Sequence, residues 1–208
     1  MNKNNTINNY IFHFMKESHM KKILALAVIA TACSTSVIAQ KTGSLYGEAS
    51  YSMVTSKDTS KDNIGTLKPT AGRFGLGTVV MDNVAVEGFI QQGLSDSTKA
   101  LNTTTNVQLK MKSGYGFAVR PFLNLSNETE LFGRIGSVRQ EAEFSATSIS
   151  NGKVLANGTS KVTNTLYGAG IAYKISDDMK AVVDYTKLNN KDDSDVSMIS
   201  IGLRYNFK

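Results

Sequence analysis

The chain has 208 residues, of which 41% are apolar and 19% charged, with 17 Gly, 2 Pro and no Trp. That apolar content is too high for a disordered chain, and the length suits one domain with a sizeable interior. Both histidines (His13, His19) and the one cysteine (Cys33) fall within the first 39 residues. Without those residues the chain has no His-dependent triad, no thiol chemistry, no disulfide and no zinc site built on nitrogen or sulfur ligands.

Residues 1–19 are polar and Asn-rich, fit no part of a targeting segment, and read as lying upstream of a true start at Met20. From there Met20-Lys21-Lys22 supplies a basic start, residues 23–32 an apolar run, and Val37-Ile38-Ala39 the small residues before Gln40. These are the three parts of a secretory signal peptide, with cleavage expected between Ala39 and Gln40. The run is about half of the roughly 20 residues that a membrane-crossing helix needs. Cys33 leaves lipid attachment open as an alternative, although Ala30 stands where a lipoprotein signal usually carries Leu. Loss of the leader removes Lys3, Lys16, Lys21, Lys22 and Glu17, so the net charge falls from +6 to +3. The basic balance is therefore partly a property of the leader, and no nucleic-acid partner is expected.

After residue 40 the pattern is alternation, the period of a strand with two unlike faces. Eight segments show it: residues 45–53, 73–80, 84–91, 107–120, 130–136, 167–174, 179–185 and 199–207. In the fourth, Val107, Leu109, Met111, Tyr115, Phe117 and Val119 share one face, and Gln108, Lys110, Lys112 and Arg120 the other. In the last, Ile199, Ile201, Leu203, Tyr205 and Phe207 oppose Ser200, Gly202, Arg204 and Asn206. The connectors at 81–83 and 176–178 are tight and the one at 121–127 is modest. Those at 55–68, 94–105 and 143–159 are long and polar, and that at 188–195 is intermediate. Long and short connectors alternate, as in a transmembrane β-barrel with short turns at one end and long loops at the other.

The same alternation would suit a soluble or lipid-anchored periplasmic β-protein with its apolar face inward. Three features favour the inverted design. The polar face is rich in glycine, as a narrow lumen requires. Tyr51, Tyr173, Tyr185, Tyr205 and Phe207 lie near strand ends on the apolar face, as in an interfacial aromatic belt. The polar face also combines the bases Arg73, Lys110, Lys112, Arg120, Arg134, Lys180 and Arg204 with the acids Glu48, Glu87, Glu130 and Asp184. Enclosed charges are costly unless paired, so these residues are expected to form a lumenal ion-pair network.

The signal-like leader, the eight strands, the hairpin at 167–179 and the terminal strand Ile201-Gly202-Leu203-Arg204-Tyr205-Asn206-Phe207 resemble the OmpA/OmpX-type outer-membrane β-barrel domain. The resemblance covers essentially all of 40–208. It implies an all-β, eight-stranded antiparallel up-and-down barrel in the outer membrane, with both termini periplasmic. It also implies that Tyr205 and Phe207 form the C-terminal signal read by the barrel-assembly machinery, although Lys208 follows the usual terminal Phe. The peptidoglycan-binding domain of full-length relatives is not expected.

No motif carries a reaction. Gly72-Arg73-Phe74-Gly75-Leu76-Gly77 has the glycines of a phosphate loop, but no helix follows to complete it. The four carboxylates face more bases than acids. Neither catalysis, nor a cofactor, nor a metal is expected. Two functions remain open: a monomeric surface protein whose loops meet a host or cell-surface ligand, and a narrow porin for ions or small solutes. Eight strands enclose a space that side chains can fill, which counts against a wide channel.

Overall fold

The computed structural model describes residues 42–58, 65–189 and 194–207; Cys33 and the expected cleavage site at Ala39 and Gln40 lie outside the described residues. Ten strands follow in chain order: β1 (Leu45–Asp58), β2 (Thr66–Leu67), β3 (Thr70–Met81), β4 (Val84–Ser95), β5 (Ser97–Asn102), β6 (Thr105–Asn124), β7 (Thr129–Ser148), β8 (Val154–Lys174), β9 (Met179–Asn189) and β10 (Ser194–Asn206). Eight of them form a closed antiparallel ring in the order β1-β3-β4-β6-β7-β8-β9-β10. The ring closes where β10 pairs with β1, from Tyr46 opposite Asn206 to Asp58 opposite Ser194. Each of the eight alternating segments lies in one of these ring strands. The short strands β2 and β5 are additions, paired to β1 and β6. Closure satisfies every ladder without an edge, which hydrocarbon demands because it offers no hydrogen bonds of its own.

The faces are inverted relative to a water-soluble barrel. Leu76, Phe117 and Ile201 are 68%, 65% and 61% exposed, whereas Arg120 and Arg204 are wholly buried. A soluble β-protein would have the opposite arrangement. The outward belt ends in tyrosines on both sides, with Tyr51, Tyr115, Tyr167 and Tyr185 toward one end and Tyr173 and Tyr205 toward the other. Both described chain ends lie at the second of these ends, together with the short turns after β3, β6 and β8. Asn83 makes the first turn tight by adopting a φ of 63°.

At the opposite end the strands overshoot the belt. Crossing a bilayer takes about 9–11 strand residues, and β6, β7 and β8 have 20, 20 and 21. Their surplus, joined by β5, forms a sheet that stands clear of the ring. Residues 94–105 and 143–159, expected as loops, are therefore mostly strand: Phe144 pairs with Gly158 and Ala146 with Ala156. The ladder depends on backbone groups, and strand clear of lipid needs no apolar face, so Ser, Thr and Asn there are no guide to a loop. The turn between β7 and β8 is tied to its neighbour by the Ile149 N–H, which donates to the Thr104 carbonyl (2.9 Å).

One register change matters for the site. Between Met111 and Gly114, β6 carries one residue more than β7, a β-bulge. An extra residue exchanges the two faces of everything beyond it. Below the bulge Tyr115, Phe117 and Val119 face outward as expected. Above it Leu109 is buried, with Val107 and Met111 on the same inward side, and Lys110 and Lys112 turn outward.

Candidate functional site

The lumen is filled in three layers. Near the terminus-bearing end lies an apolar cluster of Tyr46, Val79, Ala85, Phe122, Phe132, Ala172 and Val182. Toward the far end lies a second, formed by Val54, Phe89, Ala118, Val138, Leu166, Leu188 and Met198, with Met111 and Val196 packed against it. Most of the charge lies between them, and Glu130 and Lys180 extend it past Phe132 and Val182 toward the terminus-bearing end.

Each carboxylate of the middle layer serves several bases. Glu48 lies 3.3 Å from Arg73, 3.1 Å from Arg134 and 2.7 Å from Arg204. Glu87 accepts from Arg134 Nε at 2.7 Å and from the Tyr46 hydroxyl at 2.8 Å, and lies 3.4 Å from Arg120. Glu130 joins Arg120, Arg204 (3.2 Å) and Lys180 (2.6 Å). Asp184 accepts from Arg73 at 2.6 Å, Arg134 at 3.1 Å and the Thr186 hydroxyl at 3.0 Å. Four acids thus face five bases. Three guanidinium groups also lie over aromatic rings, Arg120 above Phe132 at 3.9 Å, Arg204 above Tyr46 at 4.4 Å and Arg134 above Phe132 at 5.4 Å. Cations over ring faces gain from the ring quadrupole when water is excluded.

Glycines make room for these rings. A side chain at Gly77 would run into the Tyr46 ring, one at Gly116 into Phe89, and one at Gly170 into Phe132. These three glycines therefore act as seats for inward aromatics, whereas Gly136, Gly168 and Gly202 lie against neighbouring backbone. One cavity of about 10 Å³ lies among Tyr46, Glu48, Arg73, Glu87, Phe89 and Arg134, among others. That is room for about one water molecule.

Two of the expected network members are elsewhere. Lys110 pairs with Asp96 at 4.0 Å and Lys112 with Glu143 at 2.9 Å, on the outer side of the protruding sheet. The bulge that inverts β6 carries them there. The hydrogen bond and charge of Lys112 hold the Glu143 carboxyl below its ordinary range, and Glu143 in turn raises the Lys112 ammonium. Tyr205 and Phe207 lie on the outer wall, their rings edge to face with centroids 5.4 Å apart. The residues that alternation assigned to the polar side without a role are Tyr46, Phe89, Phe132 and Val182. They form parts of the two apolar layers, and their signal was legible as large apolar residues in polar phase.

The Gly72–Gly77 segment is strand throughout, within β3. Among the described residues no group of three or more His, Cys, Asp and Glu side chains could hold a metal ion.

A closed ring of eight membrane-length strands, with a lipid-facing apolar wall and a charged interior, defines a transmembrane β-barrel. Residues 24–207 match the family described as the outer membrane protein beta-barrel domain, and the chain belongs to that family. No curated relative matches the chain by sequence. Among solved structures it is similar to Ail, the attachment invasion locus protein of Yersinia pestis, with 16% identity and a TM-score of 0.56 over 80% of this chain and all of that one. Neisserial surface protein A is similar at 13% identity and a TM-score of 0.51, covering 78% of this chain and 97% of that one. The outer membrane protein OprG of Pseudomonas aeruginosa is similar at 10% identity and 0.51, over 81% and 97%. At these identities the likeness is one of fold. The protein is an outer-membrane β-barrel.

Proposed function

We propose that the protein is a non-conducting surface barrel, and that the sheet formed by β5 and the upper parts of β6, β7 and β8 is its recognition element. In this reading the termini are periplasmic, the leader is cleaved between Ala39 and Gln40, Tyr205 and Phe207 present the last strand to the assembly machinery, and the mature barrel is a monomer without catalytic function. The observation that carries the reading is strand length: β7 and β8 stay paired for about twice the span of a bilayer. Among the described residues the overshooting sheet also has open edges. β8 pairs with β9 only from Thr165 onward, and β5 pairs only with β6 among the described strands. Unpaired strand edges and the side chains around them are docking features that proteins otherwise cover.

Exposed lysines, including Lys68, Lys99, Lys110, Lys153 and Lys161, are spread over this end. Ail has been crystallised with the heparin analogue sucrose octasulfate, and a sulfated glycan is the first ligand class to test here. Replacing residues 143–159 by a short turn is the decisive variant. Binding of cells or heparin to bacteria displaying the protein should be lost, while the barrel keeps its heat-dependent shift in SDS electrophoresis. Unchanged binding by the shortened barrel would reject the sheet as the recognition element.

A further inference from the structure

Among the described strands, the longest open edge of the protruding sheet belongs to β8. From Val154 to Asn164 this strand is paired to β7, and β9 joins it only from Thr165, opposite Asn189. Four residues connect β9 to β10, too few to run along the eleven above them. Edges that must stay single are defended by proline, by bulges or by unpaired charge. Residues 154–164 contain no proline, and their one charged side chain, Lys161, is paired with Glu141 of β7 at 3.2 Å. A bulge is present only at the tip, where Leu155 falls between the paired residues Val154 and Ala156. Ala156 to Asn164 thus form a regular edge, and a side chain built at Gly158 would meet nothing within 4 Å.

We infer that this edge pairs with the same edge of a second copy of the protein held in a facing membrane. The place beside β8 is closed below by β9, so an incoming strand must end there and extend away from the membrane. A copy in the same membrane offers no such strand. Its β8 continues through Lys174 into its own ring, and its β5 follows directly from β4, so either would run into β9. A copy in a facing membrane is inverted. Its β8 arrives antiparallel, with its tip where β9 begins and the bulge at Leu155 bending that tip aside. Charge selects the register. With Thr159 opposite its own copy, Ala156 faces Val162, Asn157 faces Lys161 and Gly158 faces Ser160. Centring on Ser160 instead would set the two Lys161 side chains diagonally across one face, about 7–8 Å apart. Thr159 lies eight residues beyond Tyr167, about 26 Å of strand, so two facing tyrosine belts would stand about 50 Å apart, clear of each other. One strand pair is smaller than the roughly 1,200–2,000 Å² of a stable interface. Free barrels therefore stay monomeric, and the contact holds where two surfaces each present many copies. The inference rests on the reading of the protruding sheet as the recognition element, and names a second copy of the chain as a partner for it.

The test is the clustering of vesicles of palmitoyl-oleoyl phosphatidylcholine that carry the full chain, produced in the outer membrane of a Gram-negative host and reconstituted from mild detergent. Light scattering should rise for vesicles with the parent protein and stay flat for protein-free vesicles. Thr159→Lys and Thr159→Glu each set like charges against their own copies, so each alone should lose clustering. A mixture of the two vesicle populations should regain it. A heat-dependent shift in SDS identifies variants that have folded. Asn157→Lys, which would set a second lysine against Lys161, should also lose clustering and serves if a Thr159 variant does not fold. Parent vesicles that stay dispersed, a charge variant that clusters by itself, or a mixture that stays dispersed would each overturn the pairing. Retention of the same vesicles on immobilised heparin separates the two readings. Heparin binding without clustering sinks the self-pairing alone, and clustering without heparin binding sinks the glycan ligand alone.

Discussion

Glu130 touches three bases, as Glu48 does, and is the more deeply buried of the two, so its loss should be felt strongly. Removing one partner of a buried ion network costs about 3–5 kcal/mol, because the groups left behind remain charged and dry. Glu130→Gln would leave Arg120, Arg204 and Lys180 without their shared carboxylate. We expect a loss of that size in equilibrium urea unfolding from phospholipid vesicles, and a change under 1 kcal/mol would show that the layer is hydrated well enough to tolerate the gap. Gly170 tests the opposite fault, too much volume in a packed place. A valine there would push against the Phe132 ring and the backbone of β9, and overpacking of this kind costs about 1–3 kcal/mol. If Gly170→Val unfolds at the same urea concentration as the parent, Phe132 is not seated as described.

Strands were the most legible elements, because lipid on one side and charge on the other impose a strict period of two. The lengths of β6, β7 and β8 were not legible, since beyond the membrane neither face is held to a pattern. The bulge was hidden for a different reason. Val107, Leu109 and Met111 continue the apparent phase of Tyr115, Phe117 and Val119, so one uninterrupted face could be drawn through residues that lie on two. The charged layer was partly legible: the residues from Glu48 to Arg204 meet inside, whereas Lys110 and Lys112 were misplaced by that one extra residue. Deleting Ser113 would remove the bulge and keep the present pairs, with Lys112 opposite Glu141 and Met111 still opposite Ala142, so Leu109 would stay inward and the lysines outward. We expect this variant to keep the parent's resistance to trypsin across residues 105–160. New cleavage there would mean that the sheet depends on the extra residue itself and not on the register beyond it.

As a whole the barrel's interior is filled by two apolar clusters with the charged network between and beside them. An ion crossing it would have to displace Phe89 and its neighbours at one end and Phe132 and its neighbours at the other. Breaking the charged layer alone should not open a path. Planar-bilayer recordings should therefore show no unitary current for the parent or for Arg134→Ala. Steady channel openings in the parent would restore the porin reading and remove the non-conducting one.

The seam joining β1 to β10 has the same antiparallel ladder as the other joints, with Ser52 and Ser200 hydrogen-bonded across it at 2.9 Å inside. A ring whose first and last members are neighbours contains no physical record of where the chain starts. The gene numbers its strands from Leu45, but the circle does not; β10 is marked instead by the outward aromatic pair Tyr205 and Phe207 at its end. What holds the circle together is thus independent of where the chain is opened, and a permuted chain cut at one of the short turns would close through the same ladders.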